Sequence, residues 1–368
     1  MARFRSFLER QVESAWYGGA RWSRGLLPLV PLYRRAALKE KVRGQISAQN
    51  SPFEIPIIVV GNITAGGTGK SPVVIKLAQD LQNRGYKPGV LSRGYGAKTS
   101  EQPRRVTLRD AVSEVGDEPL MMANSLYGQT NLPVVVDRDR ARGARYLQAV
   151  CDVDVVICDD GLQHYGLARD IEIVILDAKR GTGNGLLIPA GPLREPEERL
   201  GSVDFVLCNG LKAELSKQLQ AQVDYEFSVQ PKNWQNLISG EKLGLDSAPL
   251  SGKVLAVSAI GNPGRFHGSL KSLGLEPVVK VFPDHHLFSQ SDFDFDKDES
   301  NLPLVMTAKD AVKCRELANQ FEPAKTNWWI LEVEADLSQS FLDELVGKLL
   351  VIKEQKVQRT ETMEREIN

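Results

Sequence analysis

The chain has 368 residues, 42% hydrophobic and 25% charged, with 31 glycines and 19 prolines. That describes a globular chain of about two domains and excludes a disordered, collagen-like or disulfide-stapled one. Forty-six Lys and Arg against 47 Asp and Glu leave a formal net charge of −1, too little positive field for a nucleic-acid partner.

The charge is uneven. Residues 1–44 carry ten basic and three acidic side chains, an excess that suits an anionic surface at this end. Phe4, Phe7, Leu8, Val12, Ala15 and Trp16 recur at helical spacing with Arg3, Arg5, Arg10 and Glu13 around them, which predicts an amphipathic N-terminal helix. Trp22, Leu26, Leu27, Leu29, Val30 and Leu32 follow among Arg21, Arg24, Arg34 and Arg35. Aromatic and leucine side chains among arginines suit a membrane interface; the same pattern also fits a helix packed on the domain behind it. The longest early apolar run, residues 25–32, falls short of the roughly 20 residues that span a bilayer. With no signal-peptide pattern, the expectation is a cytoplasmic, uninserted chain. Cys151, Cys158, Cys208 and Cys314 form no CxxC pair and read as buried free thiols.

From residue 55 short Val/Ile-rich runs at 55–60, 133–136, 154–158, 171–176 and 204–208 alternate with helical segments at 72–85, 117–126 and 138–150. The alternation predicts an α/β fold with a mostly parallel sheet covered on both faces. Residues 226–252, punctuated by Pro231, Asn233, Asn236, Gly240, Gly244 and Pro249, read as a connection. A second α/β pattern follows, with strands at 254–261, 277–282, 303–307 and 328–333, a helix near 263–273 and a closing helix from about 338. Residues 355–368 lack apolar periodicity and read as a frayed helix end or polar tail.

The sharpest local signal joins a strand to a helix through Thr64, Ala65, Gly66, Gly67, Thr68, Gly69, Lys70 and Ser71. Backbone amides of such a P-loop wrap phosphate oxygens at a helix N-terminus, Lys70 reaches the β- and γ-phosphates, and Ser71 binds Mg²⁺. Thr64 stands at the first glycine position of the general motif, but the three glycines that follow keep the close backbone approach. Asp159 and Asp160 end the next buried run, at the carboxyl edge where open parallel sheets bind ligands. They can hold Mg²⁺ directly or through water, with Gln163 in the same crevice.

AGGTGKSP, SRGYG, GDEP, CDDGLQH, GNGLLIPAGPLREP, IGNPGRF, FPDHH and TAKDAVK occur in this order. The series resembles the tetraacyldisaccharide 4′-kinase family of Gram-negative lipid A synthesis, over about residues 15–335. The resemblance implies transfer of the γ-phosphoryl group of ATP to the 4′-hydroxyl of a tetraacylated glucosamine disaccharide 1-phosphate, at the cytoplasmic face of the inner membrane. It implies two α/β/α domains joined by a short β linker, the first P-loop NTPase-like, with the site in the cleft between them.

By that resemblance Asp117 is the proton acceptor, oriented by His285. The residues alone leave the two histidines of DHH readable as an exposed turn, and leave open which of His285 and His286 would partner Asp117. Arg140, Arg194, Glu118 and Glu195 are assigned to substrate and nucleotide contacts. The expected division is an N-terminal membrane-interface segment at 1–44, a P-loop kinase domain at 45–225, a linker at 226–252, a second α/β domain at 253–354 and a polar tail at 355–368. ATP and Mg²⁺ are the expected cofactors. The acylated disaccharide lipid and a membrane surface are the expected partners, without nucleic acid or an obligate protein partner. Ala308 and Ala259 depart from the family's usual Glu and Gly. Two other readings stand beside this one. A membrane-associated ATPase switch with a deviant phosphate loop would carry a lysine where Ala65 stands, and a soluble small-molecule kinase would have no use for the basic, aromatic N-terminus.

Overall fold

The Val/Ile-rich runs become strands and the segments between them helices in a mixed α/β chain. The computed structural model describes residues 11–49, 52–98, 102–127, 130–247, 250–296, 298–321 and 327–367. A helix over residues 11–16 (α1) and a 3-10 segment Trp22–Leu29 precede α2 (Val30–Gln49), β1 (Ile57–Gly61), α3 (Lys70–Asn83), β2 (Pro88–Ser92) and β3 (Arg104–Arg105). Then come α4 (Val112–Val115), α5 (Asp117–Leu126), β4 (Val134–Val136), α6 (Arg140–Val150), β5 (Val155–Asp159), β6 (Ile171–Asp177), β7 (Phe205–Asn209), α7 (Lys217–Gln220) and β8 (Tyr225–Asn236). The remainder is β9 (Lys242–Leu243), β10 (Lys253–Ser258), α8 (Pro263–Ser272), β11 (Glu276–Val281), β12 (Leu304–Thr307), α9 (Ala308–Ala318), β13 (Trp328–Asp336) and α10 (Gln339–Ile367).

Hydrogen bonds connect the strands in the order β11-β10-β12-β13-β8-β7-β6-β1-β5-β2-β4-β3, with β9 on β8. All pairs are parallel except β3–β4, β8–β13 and β8–β9. β1 and β5 are buried at every position, as strands covered on both faces must be. One face of this first part is covered by α3, α5 and α10, through Val73, Leu77, Met122, Phe341 and Leu345. The other is covered by α6 and the loops carrying Leu162, Leu193 and Leu200. The second part is packed by α9 against Trp328 and Phe293 on one face, and by α8 against Trp234 and Trp329 on the other.

Strand β8 joins the two parts. Its first residues, 225–227, pair with 207–209 at the end of β7; residues 228–236 run on past that edge and pair antiparallel with β13. β13 therefore runs back toward the first part, from Trp329 opposite Asn236 to Asp336 opposite Ser228. The parallel strands of the second part share its direction, so the carboxyl edges of both parts face each other. That confrontation makes the cleft.

Two segments differ from expectation in texture. Residues 226–252, read as a connection, are half strand. Pro231 sits where the register against β13 shifts, at Glu332/Val333, a place where a missing N–H is tolerated. Residues 355–367 continue α10 as helix, which is fastened to the first part by Lys353 on Asp154 at 2.9 Å and Lys356 on Asp170 at 3.0 Å. All four cysteines are free; Cys158, Cys208 and Cys314 are buried and Cys151 is half-buried. Among the described residues no helix is long and apolar enough to cross a membrane.

Of the expected N-terminal stripe, Phe4, Phe7 and Leu8 lie outside the described residues. Ala15 is buried, and Val12 and Trp16 are half-buried. The Trp16 carbonyl accepts the Asn184 N–H at 2.8 Å, so the described end of α1 packs on the body behind it.

Trp234 of β8 is 2% exposed and lies opposite both Leu331 of β13 and Leu243 of β9. Trp234→Ala is expected to cost about 3–5 kcal/mol, the range for a large buried aromatic, read as a lower urea midpoint in equilibrium unfolding.

Candidate active site

The loop after β1 enters α3 with Gly69 as N-cap in the left-handed region, φ +99°. A methyl group there would lie 2.5 Å from Asn209 Nδ2, so glycine is required both by conformation and by space. Three side chains hold the loop by its carbonyls: Asn209 Nδ2 donates to Thr68 at 2.9 Å, Asn62 Nδ2 to Gly66 at 3.3 Å, and the Tyr17 hydroxyl to Ala65 at 2.9 Å. With its carbonyls tied behind it, the loop is free to turn amides forward. Thr64 is buried and bridges Leu193 in the PLRE loop. Lys70 Nζ donates to Asn62 Oδ1 at 3.2 Å and lies 3.5 Å from Asp160. Ser71 follows it in the first turn of α3, half-buried.

Asp159 ends β5, with Val60 of β1 beside it in the ladder. The two neighbouring carboxylates have unlike surroundings. Asp160 is half-buried, and Lys70 and Arg194, at 3.5 and 3.1 Å, outweigh the cost of desolvation and hold its carboxyl well below the usual range. Asp159 is pushed up, first by burial and then by the charges of Glu118 and Asp160. Its Oδ1 is buried without a hydrogen-bond partner. A buried carboxyl oxygen that no donor among the described residues reaches fits a divalent cation, and Mg²⁺ characteristically takes one or two carboxylates together with substrate phosphates and water. Asp159 and Ser71 are the donors that suit it. Among the described residues no group of three or more His, Cys, Asp or Glu is placed to hold a metal by itself.

Gln163, expected near the metal, is engaged by protein groups on both ends of its amide. Its amide nitrogen donates to Glu195 Oε1 at 2.8 Å and to the Asn62 carbonyl at 3.2 Å, while its oxygen faces Arg194 at 3.5 Å. The positive guanidinium beside that oxygen disfavours a second cation there. Glu195 likewise faces inward, accepting from Gln163 and the Tyr165 hydroxyl and paired with Arg199 at 3.3 Å. It locks the DDGLQH turn to the PLRE loop. Arg140 is 4% exposed and donates to the backbone carbonyls of Leu91 at 2.9 Å and Asp159 at 2.8 Å. It is a strut between the ends of β2 and β5.

Asp117 is the first residue of α5, 3% exposed. Across the cleft, in the loop after β11, His285 Nδ1 lies 2.9 Å from its Oδ2 and 3.1 Å from its Oδ1. His286 turns away to Asp292 at 3.1 Å, so His285 is the partner. Burial would raise the Asp117 carboxyl; the His285 hydrogen bond and the charges of Lys309, His285 and Lys313 outweigh it and hold it below its ordinary value. Burial would lower His285, but its bond to Asp117 prevails and raises it. Glu118 pairs with Lys309 of α9 at 2.9 Å, and Lys309 also reaches Asp284 at 3.1 Å.

The cleft is also crossed at the phosphate loop. Asn262 and Arg265 reach Asp177 of β6 at 3.2 and 3.1 Å, and Arg180 donates to the Gly261 carbonyl at 3.0 Å. A methyl group on Gly261 would lie 2.8 Å from the Gly67 nitrogen. Sequence reading missed Tyr17, Arg180, Asn209, Lys309 and Lys313. Lys309 and Lys313 had a signal: an i, i+4 pair directly after a strand lies on one helix face at a carboxyl edge.

This geometry agrees with three comparisons. A family model described as tetraacyldisaccharide-1-P 4′-kinase matches residues 22–350. The tetraacyldisaccharide 4′-kinase of Ectopseudomonas mendocina (strain ymp) is 44% identical over 338 residues, 91% of this chain and 95% of its own. That of Hahella chejuensis (strain KCTC 2396) is 42% identical over 352 residues, 94% and 98% of the two chains. The solved structure of LpxK from Aquifex aeolicus in complex with ATP superposes with a TM-score of 0.66 at 28% identity, covering 90% of this chain and 99% of that one. With a matched phosphate loop, an acidic strand end and a family match along nearly its whole length, the chain belongs to the tetraacyldisaccharide 4′-kinase family.

Proposed function

We propose that the chain transfers the γ-phosphoryl group of ATP to the 4′-hydroxyl of a tetraacylated glucosamine disaccharide 1-phosphate, the lipid A precursor. The observation that carries this reading is the Asp117 carboxylate, held by His285 of the opposite wall at a cleft that also contains the phosphate loop. An ATPase switch has no use for such a pair.

A sugar hydroxyl is a weak nucleophile and the transferring group is a dispersed anion, so the site has to position, neutralise charge and accept a proton. Amides of residues 65–70 and the Lys70 ammonium hold the β- and γ-phosphates. Asp159 and Ser71 would hold Mg²⁺, which would supply further positive charge to the phosphates. Arg194, now on Asp160, and Glu118 lie beside the same phosphate region as contacts for nucleotide or acceptor. Asp117 receives the 4′-hydroxyl proton. In a loose transition state that proton leaves late, so the carboxylate has to be ionised and well aimed more than strongly basic, and His285 serves both needs.

Lys70→Ala is expected to lower kcat/KM by at least about 10²-fold, as for a lost charge-stabilising donor, with an unchanged melting transition; near wild-type turnover in the folded variant would end the phosphate-loop assignment.

Asp117→Asn is expected to lower kcat by roughly 10²-fold or more. The wild-type acid limb of kcat against pH should lie low, because the acceptor works deprotonated and its carboxyl is held down. His285→Ala removes a lowering influence, so the limb should move to higher pH. A limb that moves down, or stays, would remove His285 from its role.

The same reading brings the chain to the cytoplasmic face of the inner membrane as a peripheral protein. Supporting it, Trp22, Leu29, Leu32, Leu38, Val42 and Ile46 are all exposed, with Arg24, Arg34, Arg35, Lys39 and Arg43 exposed among them. Leu38, Val42 and Ile46 follow at i+4 on one helix face. Binding to anionic vesicles should weaken as salt rises, and Leu38→Ser with Val42→Ser and Ile46→Ser should abolish most of it in a sedimentation assay. Unchanged sedimentation of the triple variant would overturn the membrane role of α2.

A further inference from the structure

Lysine is seldom buried without a reason, because its charge loses water and must regain partners. The side chain of Lys313, in α9, is 1% exposed. Its Nζ lies 2.7 Å from Asp310 Oδ1 on the same helix and 4.0 Å from Asp117 Oδ2 across the cleft, over the Phe288 ring at 5.2 Å. Asp310 is itself buried. Its other oxygen accepts from the Ala259 N–H at 3.1 Å and the Thr307 hydroxyl at 2.7 Å, which fixes it to the ends of β10 and β12. Lys313 is thereby anchored from behind by a rigid carboxylate and faces the reacting carboxylate in front.

A buried ion pair is weak evidence for stability, and Asp310 alone would satisfy one lysine. The second carboxylate at 4.0 Å is the feature that calls for a role. The charged groups facing Asp117 are His285 from the loop after β11, Lys309 and Lys313 from α9, and Glu118 next to it on α5. Lys309 is shared between Glu118 and Asp284, and the charge of His285 depends on pH. Among the described residues, Lys313 is the lysine that faces Asp117 with a single other carboxylate, Asp310, behind it.

We propose that Lys313 is a positioning residue for phosphoryl transfer: from α9 it keeps the Asp117 carboxylate ionised and aimed, so that the proton acceptor is complete only while α9 lies docked on α5. This rests on the reading of Asp117 as proton acceptor. The lowered carboxyl of Asp117 agrees with it, with Lys313 among the causes.

The test is the pH profile of kcat for the full chain, with ATP, Mg²⁺ and detergent-dispersed acylated disaccharide. Lys313→Met is expected to lower kcat roughly 10-fold or more through lost aim and to move the acid limb up by about one pH unit, the low end for a lost opposite charge. KM for ATP should stay within about twofold, because uniform binding is untouched. Lys313→Arg should restore most of the rate and the limb. Because Lys313→Met leaves Asp310 buried without its cation, the double variant Lys313→Met with Asp310→Asn keeps the experiment decisive if the single one fails to fold; it should show the same limb shift. A folded double variant with a wild-type acid limb would overturn the proposal, as would a kcat loss that follows lowered thermal stability alone. Asp117→Asn in parallel separates the two ideas. If it remains active, the proton-acceptor reading has failed; if it is dead while the double variant keeps the wild-type limb, only the role of Lys313 has failed.

Discussion

One strand hydrogen-bonded into two sheets sets the geometry of everything else. The first residues of β8 close the parallel ladder on β7 and the rest, continuing past that ladder's end, receives β13 from the other side. Direction follows from hydrogen bonding alone: parallel to one neighbour and antiparallel to the other, β8 turns the second set of parallel strands head-on to the first. Loops at carboxyl edges are where α/β proteins keep their ligand-binding groups. Here two such edges meet, so the phosphate loop from one and the DHH loop from the other reach the same space without any long insertion.

The cleft thus assembled is crowded with charge, and its carboxylates are distinguished by what lies beside them. Asp160 sits between Lys70 and Arg194 and stays ionised; Asp159, one residue earlier, is buried with an oxygen no donor reaches. Asp117 is ringed by His285, Lys309 and Lys313, all from the opposite wall. Residues of one chemical type are thus given different tasks by environment. The cations that hold Asp117 down belong to α9 and the loop after β11, so the electrostatics of this carboxylate depend on the two walls being together.

What could be read in advance follows the same physics. Strands β1, β5, β6 and β7 are continuous Val/Ile runs because they are covered on both faces, and that pattern is local. β2 begins with Pro88 and Gly89 and offers little apolar run of its own; it is held by pairing on both sides, with β5 and β4. β8 looked like a connection because Pro231 and its asparagines are turn formers, and only the register shift opposite shows why a proline is tolerated there. The positions of the glycine-rich loop after β1 and of Asp159 and Asp160 at the end of β5 were legible because each directly follows a continuous apolar run. Arg140, Gln163 and Glu195 read as ligand contacts by their polarity alone, and only the fold shows that they also bond backbone carbonyls and one another. Lys313 was out of reach for the opposite reason, since its partner lies 196 positions away in the numbering and meets it only across the cleft.

The bond from the Tyr17 hydroxyl to the Ala65 carbonyl changes what the beginning of the chain is. Glu13 pairs with Arg180, whose guanidinium also lies over the Tyr17 ring at 5.0 Å and bonds to Gly261. Residues 13–17 therefore brace the nucleotide loop from outside. A segment that reads as a membrane-interface helix thus also steadies the loop it lies behind, and a chain trimmed before residue 18 would lose that support.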